Sequence, residues 1–181
     1  GNAAHELRRL ATPVLKYWIC KRAPVHAAEA LECLGGNGYV EESIMPRLYR
    51  EAPLNTIWEG SGNVNALDVL RALRKEPATL DAFLAEVDRS RGADARLDRS
   101  AGGLRDALGR ADDAEAGARR LVEGMALTLQ GALLVRHSPP AVADAFCASR
   151  LGGDWGHAFG TLPSGVDFAA IVERARPEDA R

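Results

Sequence analysis

The chain has 181 residues, 46% apolar and 27% charged, which suits one compact domain or two closely packed helical layers. Its 23 basic and 25 acidic side chains leave a net charge of −2, which argues against a strongly basic nucleic-acid binder or a protein drawn to anionic membranes. No run approaches the roughly 18 apolar residues of a membrane span and the N-terminus lacks a secretory signal, so a soluble, cytoplasmic protein is expected. Apolar residues recur with the 3.6 period almost throughout and alternating β-branched runs are missing, so the expected fold class is all-α.

In chain order, the pattern predicts a first helix over 4–20, with Leu7, Leu10, Val14, Leu15 and Trp18 on one side and Pro13 bending it. A second helix begins near Pro24, passes Ala28, Leu31 and Leu34, and stops at Gly35 and Gly36. Residues 35–62 read as mostly irregular, with one helical turn around Leu48. A third helix opens at Ser61 or Asn63 and places Val64, Leu67 and Leu70 inward as far as Arg74. Pro77 opens a fourth through Leu80, Phe83, Leu84 and Val87, and a fifth runs through Leu97, Ala101, Leu104 and Leu108 despite Gly102 and Gly103. The longest stripe, from Ala114 through Ala118, Leu121, Val122, Met125, Leu129 and Ala132 to Leu133, predicts a helix ending before Ser138. Pro139 and Pro140 start another through Val142 and Phe146, and after a glycine-rich loop over 152–160 a last helix is expected from an N-cap at Ser164, ahead of a frayed tail.

Three cysteines without a CxxC, Cys20, Cys33 and Cys147, favour buried free thiols over disulfides or a zinc site. His5, His26, His137 and His157 show no metal-ligand spacing, so no metal is expected. GxSxG and Walker patterns are absent. The opening Gly-Asn-Ala, without Met, reads as a cloning remnant on a piece of a longer polypeptide.

Two motifs remain, Leu-Gly-Gly-Asn-Gly-Tyr at 34–39 and Trp-Glu-Gly-Ser-Gly-Asn-Val at 58–64. Gly35, Gly36 and Gly38 serve either as a helix stop and turn, or to expose backbone amides to a phosphate or another chain. Glu59 either complements a helix N-terminus as a negative charge, or is a general base partly desolvated beside Trp58. Ser61 and Asn63 then offer a hydroxyl and an amide next to a helix N-terminus, suited to an anionic group. These features identify no reaction by themselves.

Residues 30–39, 47–64 and 66–71, the last reading Ala-Leu-Asp-Val-Leu-Arg, resemble the C-terminal helical domain of acyl-CoA dehydrogenases. Ala52–Pro53 and Trp58, where most members have tyrosine, resemble the AidB-like alkylation-response branch. The resemblance implies a helical bundle over residues 1–75 carrying the flavin and active-site loops, and an added helical extension over 76–181. The N-terminal and middle β domains of the family would be absent from this chain. It implies that Glu59 is the base that takes the α-proton of an acyl-CoA thioester while the β-hydride passes to FAD. Ser61 and Asn63, in the places of the family's threonine and glutamine, would touch the FAD. Gly35 to Gly38 would face the dinucleotide held by a neighbouring subunit of a homo-oligomer. Arg71 either orients nearby carboxylates or forms a helix-surface pair. FAD would be shared with the missing domains, so the chain alone would neither hold it nor turn over; the electron acceptor is open.

Two other readings are an AidB-like flavoprotein that binds DNA through its C-terminal region and a non-catalytic assembly module. DNA has little support in the charge: residues 75–181 carry 14 basic against 17 acidic side chains. Arg89, Arg91, Arg96, Arg99, Arg105 and Arg110 do cluster, but Asp88, Asp94, Asp98 and Asp106 interleave with them, as on a solvated, ion-paired face.

Overall fold

The computed structural model describes residues 2–109, 114–156 and 158–177. Among them there is no strand, as the periodicity predicts. Arg110, the side chain of Ala114, His157 and residues 178–181 lie outside the described residues. Two compact units emerge, Gly1–Phe83 with Asp112–Ala126, and Leu84–Ala111 with Leu127–Arg181. The first unit therefore runs beyond residue 75, where the family resemblance would end the bundle.

The first unit is organised by α1, Asn2–Cys33, one 32-residue helix with Pro13 and Pro24 inside it. The sequence predicts two helices here, one over 4–20 bent at Pro13 and one starting near Pro24, since a proline inside a helix removes a backbone bond at a cost of about 3 kcal/mol. The helix runs through both prolines, with its buried residues grouped around the first. Leu10, Pro13, Val14 and Tyr17 are buried on α1, which contacts every other element of residues 36–75.

Those elements are α2 (Gly36–Tyr39), α3 (Met45–Glu51), a 3-10 turn (Ala52–Thr56) and α4 (Gly62–Lys75). The stretch 35–62 is thus more helical than its composition suggests. Pro46 and Pro53, each in a first turn where no N–H is needed, start α3 and the 3-10 turn. On α4 the inward stripe is Gly62, Asn65, Ala66, Val69, Leu70 and Ala72. Of the predicted stripe only Leu70 is buried. Val64 and Leu67 are exposed, because the smaller Ala66 and Val69 take the face against α1.

Helix α5 (Pro77–Asp88) buries Phe83 and Val87 as expected. Helix α6 (Ala95–Gly109) buries Leu97, Ala101 and Leu104, with its glycines facing open space. Helix α7 (Ala114–His137) buries Ala118, Val122, Met125, Leu129 and Ala132 but leaves Leu133 partly exposed.

The second unit closes with α8 (Pro140–Phe146), which continues as a π-helical turn, Cys147–Leu151, and packs on it and on α9 (Phe168–Ala175). The last helix starts later than predicted. Ser164 and Gly165 form a turn with Gly165 at φ 83°, and Asp167 caps α9 by accepting from the Ala170 N–H at 2.9 Å. Buried hydroxyls are satisfied in this unit: Ser90 donates to the Ala132 carbonyl at 2.8 Å, and Ser100 and Thr128 pair at 2.8 Å. Of the thiols, only Cys147 is buried; Cys20 is half-buried and Cys33 exposed, since Cys33 ends α1 where the chain leaves its packed face.

Candidate functional site

The loop between the 3-10 turn and α4 carries Glu59. Ile57 and Trp58 both donate their N–H groups to the Leu54 carbonyl, at 2.9 and 3.2 Å, and the chain then reverses through Glu59 at φ 53° and Gly60 at φ 100°. Glu59 is the sole non-glycine residue with positive φ among the described residues. A left-handed L-residue costs on the order of 1–2 kcal/mol and persists only where its surroundings impose it. At Gly60 a side chain would also be crowded, because an added Cβ would stand 3.2 Å from Asn65 Nδ2 and 3.3 Å from Val64 Cγ1.

Two side chains from neighbouring helices impose this conformation. Lys16 of α1 donates from Nζ to the carbonyls of Asn55 at 2.7 Å, Trp58 at 3.0 Å and Gly60 at 3.2 Å. Asn65 of α4, buried, donates from Nδ2 to the carbonyls of Gly60 at 2.7 Å and Ser61 at 3.0 Å. The sequence motifs include neither residue. The available signal is Asn65, an amide on a face otherwise lined by Gly62, Ala66 and Val69.

The Glu59 carboxylate is exposed and makes no hydrogen bond or ion pair with the described residues. On the same loop and on α4, Ile57, Trp58, Val64 and Leu67 expose large apolar surfaces, Trp58 being 56% accessible. Ser61 is the N-cap of α4, in extended conformation, yet its side chain makes no capping bond, and Asn63 is exposed two residues on. Their donors are unspent. An added Cβ on Gly62 would meet Lys21 Cε at 2.7 Å and Arg119 Nη2 at 3.2 Å, which sets two cations beside the start of α4.

Gly35, Gly36 and Gly38 sit at the C-terminal end of α1. Gly35 takes φ 57° just past the helix, and its carbonyl accepts from the Gly38 N–H at 3.0 Å. Gly38 tolerates no side chain, since a Cβ would stand 2.2 Å from the Leu31 carbonyl oxygen. Next to this turn an open cleft of about 1010 Å³ is lined by Leu31, Glu32, Gly35, Tyr39, Tyr49 and Arg50 among others. Arg50 donates to Glu41 at 2.7 and 3.1 Å, and this hydrogen bond holds the Glu41 carboxyl below its usual range.

Arg71 does not reach Glu59. It pairs with Asp68 one turn back on α4 and is 63% exposed. Asp68 also receives Arg9 at 3.0 Å, and Arg9 bridges on to Glu76 at 3.2 Å. Burial pushes the Asp68 carboxyl up, but the hydrogen bonds from Arg9 and Arg71 outweigh it and hold it low.

No group of three or more His, Cys, Asp or Glu positioned for a metal occurs among the described residues. The arginines of 89–105 are largely spent on carboxylates: Arg89 on Glu86, Arg91 and Arg105 on Asp88, and Arg96 on Asp94 and Asp144. No described helix is long and apolar enough to cross a membrane.

Residues 2–74 match the family described as acyl-CoA dehydrogenase, C-terminal domain. The putative acyl-CoA dehydrogenase AidB of Escherichia coli K12 is 43% identical over 139 residues, 77% of this chain and 25% of that protein. Acyl-CoA dehydrogenase family member 11 of Caenorhabditis elegans is 36% identical over 149 residues, 72% of this chain and 24% of that protein. The crystal structure of C. elegans ACDH-11 in complex with C11-CoA aligns with a TM-score of 0.73 at 30% identity, covering 83% of this chain and 30% of that one. The chain therefore spans about a quarter of the length of the curated relatives it matches. The match to AidB is longer than residues 2–74 can hold, so it takes in helices beyond α4.

Proposed function

The chain belongs to the acyl-CoA dehydrogenase family, and from that premise we propose that it supplies the proton-abstracting base of an FAD-dependent acyl-CoA dehydrogenase, with Glu59 as the base. The observation that carries this reading is the state of Glu59: an unpaired carboxylate on a left-handed residue whose flanking carbonyls are tied down from two helices. Strain held in place by surrounding structure is a mark of functional positions. A carboxylate free of any ion pair keeps its lone pairs available for a proton.

In this reading Glu59 accepts the α-proton of an acyl-CoA thioester through a carboxylate oxygen. FAD, when bound, supplies the acceptor for the hydride that leaves the β-carbon. The residues present suit such a cofactor. Ser61 and Asn63 carry hydroxyl and amide groups unspent on capping at the N-terminus of a 14-residue helix, a place suited to electron-rich groups. Gly35 to Gly38, with no side chain beyond Asn37, leave backbone open to close approach by the dinucleotide of a neighbouring copy. Exposed Ile57, Trp58, Val64 and Leu67 offer an apolar face to the further domains that would exclude water from the thioester. The long matches to AidB and to the C. elegans family member support the AidB-like branch.

The test is Glu59→Gln in the flavin-loaded polypeptide that carries this chain. FAD should stay bound while bleaching of the flavin by acyl-CoA is lost; undiminished bleaching would overturn the assignment. The 181-residue chain alone should reduce no added FAD with acyl-CoA, and turnover by it would remove the need for further domains.

A further inference from the structure

A lysine ammonium carries three N–H donors and no acceptor. At Lys16 all three have main-chain partners, the carbonyls of Asn55, Trp58 and Gly60, at 2.7, 3.0 and 3.2 Å. These carbonyls lie 39 to 44 residues away in sequence, so the arrangement is a tertiary contact and not a feature of helix α1 alone. Three carbonyl oxygens converging on one point repel one another unless a cation sits among them. No neutral side chain of that length supplies both the charge and the three donors. Two of the carbonyls belong to the immediate neighbours of Glu59. The Gly60 carbonyl is shared with Asn65 Nδ2, so the main chain on the far side of Glu59 is tied to α1 and α4 together.

We infer that Lys16 is a positioning residue for Glu59: its ammonium, seated among the carbonyls of residues 55, 58 and 60, holds the backbone on both sides of the left-handed Glu59 and so fixes where its carboxylate points. The inference rests on the reading of Glu59 as the base. Lys16 touches neither substrate nor cofactor in this scheme and acts through the loop. Misplacing a base by about an ångström costs up to about 100-fold in rate without a matching change in substrate binding, and that split separates positioning from general loss of stability.

Lys16→Met removes the donors at nearly constant length, and Lys16→Ala leaves a gap the size of a propylammonium ion. In the flavin-loaded polypeptide both should slow acyl-CoA-driven bleaching about 10- to 100-fold, with the half-saturating acyl-CoA concentration within about threefold of the parent. Propylammonium chloride should restore part of the Lys16→Ala rate, whereas tetramethylammonium, which has charge but no N–H, should not. Lys16→Arg, which keeps the charge, should lose less than Lys16→Met. Without any flavin, amide hydrogen exchange of residues 57–61 should speed up in Lys16→Met while that of α4 and α7 does not.

Unchanged exchange in 57–61 and an unchanged bleaching rate would overturn the inference. So would exchange raised equally across the chain, or a loss in Lys16→Arg as deep as in Lys16→Met with no rescue by propylammonium. Glu59→Gln is run alongside. Persistent bleaching in that variant sinks the base reading whatever Lys16 does, whereas lost bleaching there beside a normal Lys16→Met sinks the positioning role alone.

Discussion

The two units use their charges and apolar side chains in different ways. In the unit of α6 and α8, arginines and carboxylates are spent on each other: Arg96 with Asp94 and Asp144, Arg105 with Asp88, Arg136 with Glu86. In the unit of α1 and α4, Lys16 spends its charge on main-chain carbonyls, while Glu59 has no partner among the described residues. Exposed large apolar side chains divide the same way, all but Leu133, Phe168 and Val172 belonging to the first unit. Both units pair arginines with carboxylates, Arg9 and Arg71 with Asp68 in the first as Arg96 with Asp94 in the second, so what sets the first apart is the unpartnered Glu59 and its share of exposed apolar side chains.

The sharpest way to break this contrast is to compare side chains on the two sides of it. Leu97→Ala, in the core of the second unit and 1% exposed, should cost about 2–5 kcal/mol in denaturant unfolding. A loss below 1 kcal/mol would show that this core is not what holds the unit. Arg96→Ala comes next, at about 2–3 kcal/mol, because it strands a mostly buried Asp94 that also caps α6 by accepting from the Arg96 and Leu97 N–H groups. Arg96→Lys, with one compact charge for two carboxylates, should recover only part of it.

Acid and alkali should then find the edges of the second unit. The Arg96 hydrogen bond, helped by the two backbone donors, holds the Asp94 carboxyl below its ordinary 3.8. A lowered folded value means the stabilisation is complete above about pH 4 and is lost as the pH falls through that lowered value. Burial pushes the Cys147 thiol from 9.0 up to about 11, with Asp94 adding to the shift. There the sign reverses: stability holds below pH 9 and declines as the pH rises towards 11, by on the order of 1–2 kcal/mol. Emission of Trp155, stacked under Arg150 at 4.2 Å, reports on this unit across the titration. Cys147→Ala should flatten the alkaline limb, and an unaltered limb would place its origin elsewhere. The smallest effect belongs to the open face. Trp58→Ala should change the stability of this chain by less than about 0.5 kcal/mol, and a core-sized loss would mean that Trp58 is packed after all.

Much of the fold is legible in the sequence, because local signals and tertiary packing agree along most of it. Proline at the first turn of α5, the stripe of α6 and the hydroxyl ahead of α4 each point to what forms. The failures have more than one source. Pro24 marks a helix start by local rules, yet α1 runs through it although its buried residues all lie before it. Val64 and Leu67 read as core because apolarity does not say which face has a partner in this chain. At the site, Glu59, Ser61 and the glycines are visible as motifs, and Asp68 as the partner of Arg71 fits helix spacing. Lys16 is not visible, since contacts that skip roughly forty residues leave no periodicity to read, whereas Asn65, whose bonds reach only four and five residues back, shows only as an amide on an otherwise small and apolar face.

The unbroken course of α1 makes it a ruler. From Lys16, where it grips the Glu59 loop, to Cys33, where it releases the chain into the glycine turn, lies about 26 Å of helix axis at 1.5 Å per residue. Two helices hinged at Pro24 would let that span vary, whereas one helix sets it. Motifs held that far apart on one rod cannot close together on a small molecule; they suit the two ends of something elongated, or two separate molecules kept in step by the same rod.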